Sequence, residues 1–162
     1  MSEAAGLSFE DKFAIFEQMN LHQTIIDEGW GAEQVQKQAD LYWDGGKFTV
    51  VDLRHETFEG PERMKQMWDY AHSVFPMEKW FHDMGRWKID GSGDRATGHW
   101  RWFVRWRREI QGIVSTGIYE DVWEKRGCVW KCLERTSTTD PNWPLQTFQP
   151  YVDRADELFR AS

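Results

Sequence analysis

The spacing of apolar and polar side chains changes once along the chain, from the period of a helix to that of a strand. Behind Ser8, which stands at capping-box distance from Asp11, side chains recur at steps of four and three along one predicted helix. That stripe consists of Phe9, Phe13, Phe16, Asn20, Gln23 and Asp27, and Gly29 and Gly31 end the helix. It ends with a carboxylate at the unfavourable pole of the helix dipole, so Asp27 is expected to serve something other than helix stability.

Two more helices and one strand are predicted in the first half of the chain. The second helix covers residues 32–43 and is closed by the run Asp44-Gly45-Gly46. The third helix opens with Pro61 at its first position and continues to residue 71. A strand over residues 48–53 and a loop over residues 54–59 connect these two helices.

Strands dominate the second half of the chain. Alternating polarity predicts them over residues 80–89, 95–109, 113–124 and 129–137, with glycine-rich turns between them. One face of the second of these strands is formed by Gly98, Trp100, Trp102, Val104 and Trp106. Helices followed by an antiparallel meander are typical of an α+β domain.

The length of 162 residues fits one domain. We expect this domain to cover residues 1–138, because no linker composition occurs before residue 138. Residues 139–162 form a tail with three prolines and a short predicted helix over residues 152–159. This tail is expected to cover the mouth of a pocket or to contact a neighbouring subunit.

Tryptophan is the unusual part of the composition, with 11 residues beside 10 Phe and 4 Tyr. Each indole is large and its N–H group needs a partner, so this number favours a cavity for a flat apolar ligand or an aromatic subunit contact. Trp100, Trp102 and Trp106 share one strand face. We interpret them as walls of such a cavity, and the alternative is that they simply fill the core.

The charge and the cysteines narrow the class of protein further. A net charge of −7 argues against a nucleic-acid partner, and the arginines at 101, 105, 107 and 108 are interpreted as an ion-paired face of the sheet. No apolar run approaches the ~20 residues of a membrane span, and the N-terminus lacks the pattern of a signal peptide. Cys128 and Cys132, predicted on one strand face, resemble reduced structural thiols, so a cytoplasmic location is expected.

No motif in the sequence calls for a cofactor or a metal ion, because phosphate loops, dinucleotide fingerprints, zinc spacings and nucleophile elbows are all absent. Chemistry would therefore rest on a few ionisable side chains. His82 alone, between aromatic residues in a strand, is more often a core residue, and Asp27 alone is more often a solvated helix end. Brought together by a helix that covers the sheet, they would form a dyad in which the carboxylate orients a proton-transferring imidazole.

Other polar side chains are weaker candidates. Tyr119 can donate a hydrogen bond to a developing oxyanion in an apolar cavity, or place its hydroxyl at the rim of the sheet. His22, about one turn before Asp27, is a candidate for substrate binding, whereas His72 carries no functional signal. His99 shares an outward strand face with arginines and aromatic residues, a composition that favours a subunit contact and hence a homo-oligomer, either a dimer or a trimer.

Ordered motifs between residues 10 and 138 resemble a known family. They are Ile26-Asp27-Glu28-Gly29-Trp30, Phe58-Glu59-Gly60, the strand from His82 to Ile89, Gly91-Ser92-Gly93-Asp94-Arg95-Ala96-Thr97-Gly98, Gly117-Ile118-Tyr119-Glu120-Asp121 and Val129-Trp130-Lys131. In this order and spacing the chain resembles the SnoaL-like branch of the nuclear transport factor 2-like superfamily. The resemblance implies a cone-shaped, curled antiparallel sheet, a half barrel, with three N-terminal helices over its concave face.

The pattern is similar to the scytalone dehydratase type, in which a helix-end Asp and a strand His form a dyad. Those positions match Asp27 and His82. The chain departs from that type where Tyr119 replaces a pocket Asn, Trp106 replaces a second His, and His22 replaces a Tyr. The resemblance therefore implies a class of acid/base chemistry and not that particular reaction.

The leading hypothesis is a cofactor-independent lyase or isomerase that acts on a hydrophobic, hydroxylated aromatic substrate. Dehydration, C–C cleavage that releases a small aldehyde, and a double-bond shift all fit, with His82 as the base and Tyr119 at the departing oxygen. The alternatives are a module that binds a small hydrophobic ligand without transforming it, and an association domain. An imidazole bonded to Asp27 and open to the interior favours catalysis, whereas a ring held by backbone groups on both nitrogens favours binding.

Overall fold

The computed structural model describes residues 6–29, 31–53, 55–74, 80–107 and 113–140. Three α-helices and six strands lie in these ranges. Their bounds are α1 (Phe9–Asp27), α2 (Ala32–Asp40), β1 (Tyr42–Val50), a 3₁₀ turn (Val51–Leu53), β2 (Glu56–Glu59), α3 (Gly60–Val74), β3 (Trp80–Ser92), β4 (Arg95–Trp106), β5 (Ile113–Arg126) and β6 (Val129–Thr139). None of these helices is long and apolar enough to cross a membrane.

All six strands belong to one curled, open sheet in the order β2-β1-β6-β5-β4-β3. The meander from β3 to β6 is antiparallel throughout, whereas β1 joins β6 in parallel, so the sheet is mixed. The two outer strands of this order, β2 and β3, are not paired with each other. The predicted α+β half barrel with helices over its concave face is therefore confirmed, and the parallel pair is an addition to it.

The first helix begins as predicted but buries a different stripe. The Ser8 hydroxyl accepts from the backbone N–H of Asp11 at 3.1 Å, which caps α1. Phe9 and Phe13 are 78% and 49% exposed, so the aromatic start of the predicted stripe faces outwards. The buried residues of α1 are Ile15, Met19, His22, Gln23, Ile25 and Ile26, of which only Gln23 belongs to the predicted stripe. Both stripes have helical spacing, and only packing against the sheet decides between them.

The connection between α2 and α3 differs from the prediction. Residues 42 and 43 and the run Asp44-Gly45-Gly46 belong to β1 and not to a helix and its end, and the predicted loop over residues 54–59 contains β2. The register with β6 shifts between Tyr42 and Lys47, and Gly45 has a φ of 77°. The glycines therefore allow an irregular strand to bend. The same glycine-rich run is also typical of a helix end, so the sequence does not distinguish the two roles.

The tail and the cysteines give further comparisons with the predictions. Asp140 accepts hydrogen bonds from Arg101 at 2.7 Å and from Thr116 at 2.6 Å, which fixes the chain at the start of the tail. The predicted helix over residues 152–159 lies outside the described residues, and the division at residue 138 stays a prediction. Cys128 was placed on a strand with Cys132, but it lies in the exposed β5–β6 turn, while Cys132 is buried; both are free thiols.

A buried ion pair lies between β5 and β6 on the concave face of the curled sheet. We call this part of the interior the floor of the cone. Arg135 of β6 donates to both carboxylate oxygens of Asp121 of β5, at 2.7 and 2.8 Å, and both residues are 2% exposed. The indole N–H of Trp100 adds a bond of 2.8 Å to the same carboxylate. The guanidinium also lies 4.8 Å from the ring centre of Tyr119. Bidentate geometry and aromatic packing together compensate the loss of water around both charges.

We expect Asp121→Asn to lower the free energy of unfolding by about 3–5 kcal/mol, because it leaves the charge of Arg135 buried without a counter-ion. Urea unfolding measures this loss. Glu120→Gln is the matched control, since Glu120 is the preceding residue and is exposed on the other face; its effect is expected to stay within about 0.5 kcal/mol. Equal stability of the two variants would show that Arg135 finds its compensation elsewhere.

Candidate active site

The last residue of α1 is bonded to His82, near the start of β3. Asp27 Oδ1 lies 2.9 Å from His82 Nδ1, and the backbone N–H of His82 donates to both oxygens of the same carboxylate, at 3.2 and 3.0 Å. A carboxylate partner holds the proton on Nδ1, so Nε2 is the basic nitrogen. No hydrogen bond to His82 Nε2 occurs within the described ranges. The predicted meeting of Asp27 and His82 is present in the structure.

His82 faces the concave side of the sheet. Its position pairs with Val104 on β4, and the positions two residues away on β3 pair with Trp106 and Trp102. Side chains on directly paired positions share one face, so the imidazole lies on the face that carries the tryptophans. The side chain of His82 is only 9% exposed.

Arg107 completes the end of the first helix. Its guanidinium donates to the backbone carbonyl of Asp27 at 2.8 Å, lies 3.7 Å from the carboxylate, and stacks 4.3 Å from the ring centre of Phe81. This positive group offsets the unfavourable helix dipole at Asp27 and satisfies a carbonyl that the helix leaves free. Sequence reasoning treated Arg107 only as one of a surface cluster. The predicted ion-paired face is present at Arg101, paired with Asp140, and at Arg105, paired with Asp83, whereas Arg108 lies outside the described residues.

The three tryptophans predicted to line a cavity lie in two parts of the interior: Trp100 in the floor, and Trp102 and Trp106 in what we call the wall. Trp100 is fully buried and bonded to Asp121, which places it in the floor. Trp102 has no hydrogen-bond partner for its indole N–H among the described residues, and its ring lies so close to Gly117 that any side chain there would collide with it. Trp106 is half-buried and packs against Trp80 at 6.1 Å between ring centres.

Tyr119 lies among these rings. Its ring centre is 4.6 Å from that of Trp100, 6.0 Å from that of Trp102 and 5.5 Å from that of His22. Burial raises the pKa of Tyr119 to about 12, although Arg135 and the Ser137 hydroxyl act in the opposite direction. The phenol is therefore a neutral hydrogen-bond donor throughout the neutral pH range.

Two further histidines approach the dyad. Burial, followed by the positive charges of Arg135 and His82, lowers the pKa of His22 well below its usual value, against a smaller upward effect of the Gln38 side chain. Burial and the charge of His82 lower the pKa of His72 to about 2. Both rings are therefore neutral. His72 was predicted to carry no function, and nothing in its sequence context indicates that α3 turns it towards β3.

The convex face of the sheet has a separate depression of 590 Å³. Polar and charged side chains line it, including Lys88, His99, Glu120 and Glu134. His99 is exposed there, as predicted for the outward face. Within the described ranges no group of three or more His, Cys, Asp or Glu side chains is arranged to hold a metal ion.

A family model described as the SnoaL-like domain matches residues 8–136. The chain belongs to this family. The match spans α1 to the end region of β6 and so contains Asp27, His82 and Tyr119 together. The resemblance to SnoaL-like proteins of the nuclear transport factor 2-like superfamily is thereby confirmed. SnoaL-like domains bind small hydrophobic ligands, and the wider family contains dehydratases and isomerases.

Solved structures show the same fold. A protein of unknown function with a cystatin-like fold from Nostoc punctiforme is 21% identical, with a TM-score of 0.74 over 86% of this chain and 98% of that chain. A nuclear transport factor 2-like protein from Novosphingobium aromaticivorans is 17% identical, with a TM-score of 0.69 over 83% and 85%. A candidate scytalone dehydratase from the same organism is 16% identical, with a TM-score of 0.65 over 80% and 84%. No curated protein matches the chain significantly.

The buried neutral histidines predict an acid-labile fold. The folded-state pKa of His22 lies below the unfolded value of about 6.5, so acidification protonates the unfolded chain first and stability is lost as the pH falls below that value. Each such histidine contributes at most about 1.4 kcal/mol per pH unit. Urea unfolding between pH 7 and pH 5 is expected to show a shallower loss for His22→Gln than for the unchanged chain. His99→Gln, at an exposed position, is expected to keep the full slope; the same slope in His22→Gln would contradict this account.

Proposed function

We propose that the chain is a cofactor-independent lyase or isomerase that acts on a hydrophobic, hydroxylated aromatic compound through the dyad of His82 and Asp27. One observation carries the proposal: the carboxylate of Asp27 lies 2.9 Å from Nδ1 of His82. Nε2 of the same ring has no hydrogen bond to a described residue on the concave face of the sheet. A ring in this arrangement is oriented for accepting a proton from a ligand in the interior.

Each side chain has one step in the proposed reaction. Nε2 of His82 removes a proton from carbon or from a hydroxyl group, and Asp27 stabilises the imidazolium that forms. Arg107 restrains Asp27 through its backbone carbonyl. Tyr119, neutral with a pKa of about 12, donates its proton or a hydrogen bond to the departing oxygen.

Three reactions use these same steps. In a dehydration, the C–H proton goes to His82, the electron pair forms the double bond, and the hydroxyl leaves as water with a proton from Tyr119, which regains one from the imidazolium or solvent. In a C–C cleavage, loss of the proton from a terminal hydroxyl forms the aldehyde carbonyl as the bond breaks, and the carbanion takes a proton. In a double-bond shift, His82 returns the proton at a second carbon.

The aromatic wall supports the proposed class of substrate. Trp102 and Trp106 lie on the face that carries His82, and Trp100 lies beneath them in the floor. His22 adds a neutral polar ring beside Tyr119. Flat apolar side chains with a few polar atoms suit an aromatic ligand that carries oxygen functions.

The alternative is a module that binds such a ligand without transforming it. In that case the His82 ring would be expected to have both nitrogens held by structural partners. Nδ1 is instead held by the carboxylate of Asp27, and the backbone N–H of His82, not a ring nitrogen, donates the additional bonds to that carboxylate. This geometry favours catalysis.

We expect His82→Ala and Asp27→Asn each to lower turnover by about 10²–10⁴-fold, the usual range of general acid/base assistance. Product formation from a panel of hydroxylated aromatic alcohols, followed by mass spectrometry, measures this effect, and His99→Ala is the matched control at an exposed histidine. Turnover that survives His82→Ala unchanged would remove the dyad from the mechanism. Saturable binding of panel compounds without any turnover by the unchanged chain would establish the binding module instead.

The proposed enzyme is a cytoplasmic homo-oligomer that associates through the convex face of the sheet. Phe103 and Arg105 of β4 lie on that face, and the two free thiols suit a reducing compartment. Sedimentation equilibrium at micromolar concentration is expected to give the mass of a dimer or trimer, and Phe103→Glu is expected to lower it. Phe9→Glu, at an exposed aromatic residue of α1, is the control that keeps the oligomer. A monomer in the unchanged chain would refute this part of the proposal.

A further inference from the structure

A buried amide lies beside the dyad and has no part in the chemistry above. Gln23 stands on α1 one turn before Asp27 and two turns after Phe16. Phe16 packs on Trp87 of β3 with 5.1 Å between ring centres, and Asp27 is bonded to His82 of the same strand. Because these three helix positions lie on one stripe, the side chain of Gln23 is directed at β3 between its two neighbours.

Gln23 is 4% exposed, and neither its Oε1 nor its Nε2 has a hydrogen-bond partner among the described residues. Burying an amide without hydrogen bonds costs free energy, so buried side-chain amides normally have a hydrogen-bond partner from the protein, from water or from a ligand. His22, the preceding residue, is fully buried, and neither of its ring nitrogens has a hydrogen-bond partner in the described part of the chain. Two adjacent residues of α1 thus present four unpartnered polar atoms to the interior of the cone.

We propose that Gln23 is a specificity-determining residue that binds a free hydroxyl group of the substrate, separate from the group that reacts at His82. An amide offers an acceptor oxygen and an NH2 donor group, and a hydroxyl can bond to either because it both donates and accepts. A methyl ether only accepts, and would leave Oε1 of Gln23 buried and unbonded. A carboxylate also only accepts, and would bring a second negative charge close to Asp27.

The helix places Gln23 close to the dyad. Side chains at positions i and i+4 begin about 5–6 Å apart, so the amide of Gln23 begins that far from the carboxylate of Asp27. The ligand class that follows is an aromatic compound with two oxygen functions on one ring. This inference rests on the proposed function for the location of the reacting group, but the recognition by Gln23 is a matter of binding alone.

The test compares resorcinol with its monomethyl ether, which has the same ring and one hydroxyl fewer. Calorimetric titration is expected to show about 10-fold tighter binding of resorcinol, because a site built to bond a hydroxyl rejects the analogue that lacks it. Gln23→Met, which has nearly the same shape, is expected to reduce this preference to less than about twofold. Gln18→Met, the same change on another side of α1, is the control that keeps the preference.

The same titrations in a His82→Ala background separate this inference from the proposed reaction. If no variant turns over any compound but the preference persists and depends on Gln23, the reaction falls and the recognition site remains. Equal affinity for the two ligands in the unchanged chain, or a preference that survives Gln23→Met, overturns the inference and shows that the amide is bonded by buried water. If Gln23→Met does not fold, Gln23→Glu is titrated instead; its carboxylate accepts only, so the preference for resorcinol is expected to widen.

Discussion

The carboxylate of Asp27 holds the backbone and the ring of His82 at once, and this attachment fixes how α1 lies on the edge of the sheet. The backbone bonds fix the height of the helix end along β3, and the bond to Nδ1 fixes the rotation of the imidazole. Arg107 adds a third restraint, because its guanidinium donates to the backbone carbonyl of the last residue of α1. The position of the helix and the orientation of the proposed base therefore depend on one carboxylate, and a change there alters both.

A second carboxylate plays the corresponding part at the base of the cone. Asp121 neutralises Arg135 and accepts a hydrogen bond from the indole of Trp100. Both carboxylate oxygens of Asp121 are therefore hydrogen-bonded within the floor. The indoles of the chain consequently differ in kind. Trp100 and Trp130 donate to Asp121 and Asp11, while Trp102 donates to no described residue. The first two hold the fold together, and the third is free to contact a ligand.

Sequence reasoning reached the meander and the dyad because both leave a local signal. A period of two identifies the strands that contain Trp100 and Tyr119, and the ordered motifs of a family place Asp27 opposite His82. Sequence reasoning failed where the contact that decides the structure joins residues far apart in the sequence. The parallel pairing of β1 with β6 joins residues about 90 positions apart, as in Phe48 and Arg135, and no spacing within either segment indicates it. The same holds for Arg107, whose partner on α1 is 80 positions away.

Burial is the main cause of the protonation states of the groups inside the cone. Burial keeps His22 and His72 neutral, and the same cause keeps Tyr119 protonated. A positive charge on His82 further disfavours protonation of both neighbouring histidines, because like charges repel strongly where water is scarce. The carboxylate of Asp27 lies within hydrogen-bonding distance of His82 and can stabilise a proton there. In the proposed reaction, a proton released inside the cone goes to one nitrogen of His82, and the surrounding polar groups bind the substrate without competing for that proton.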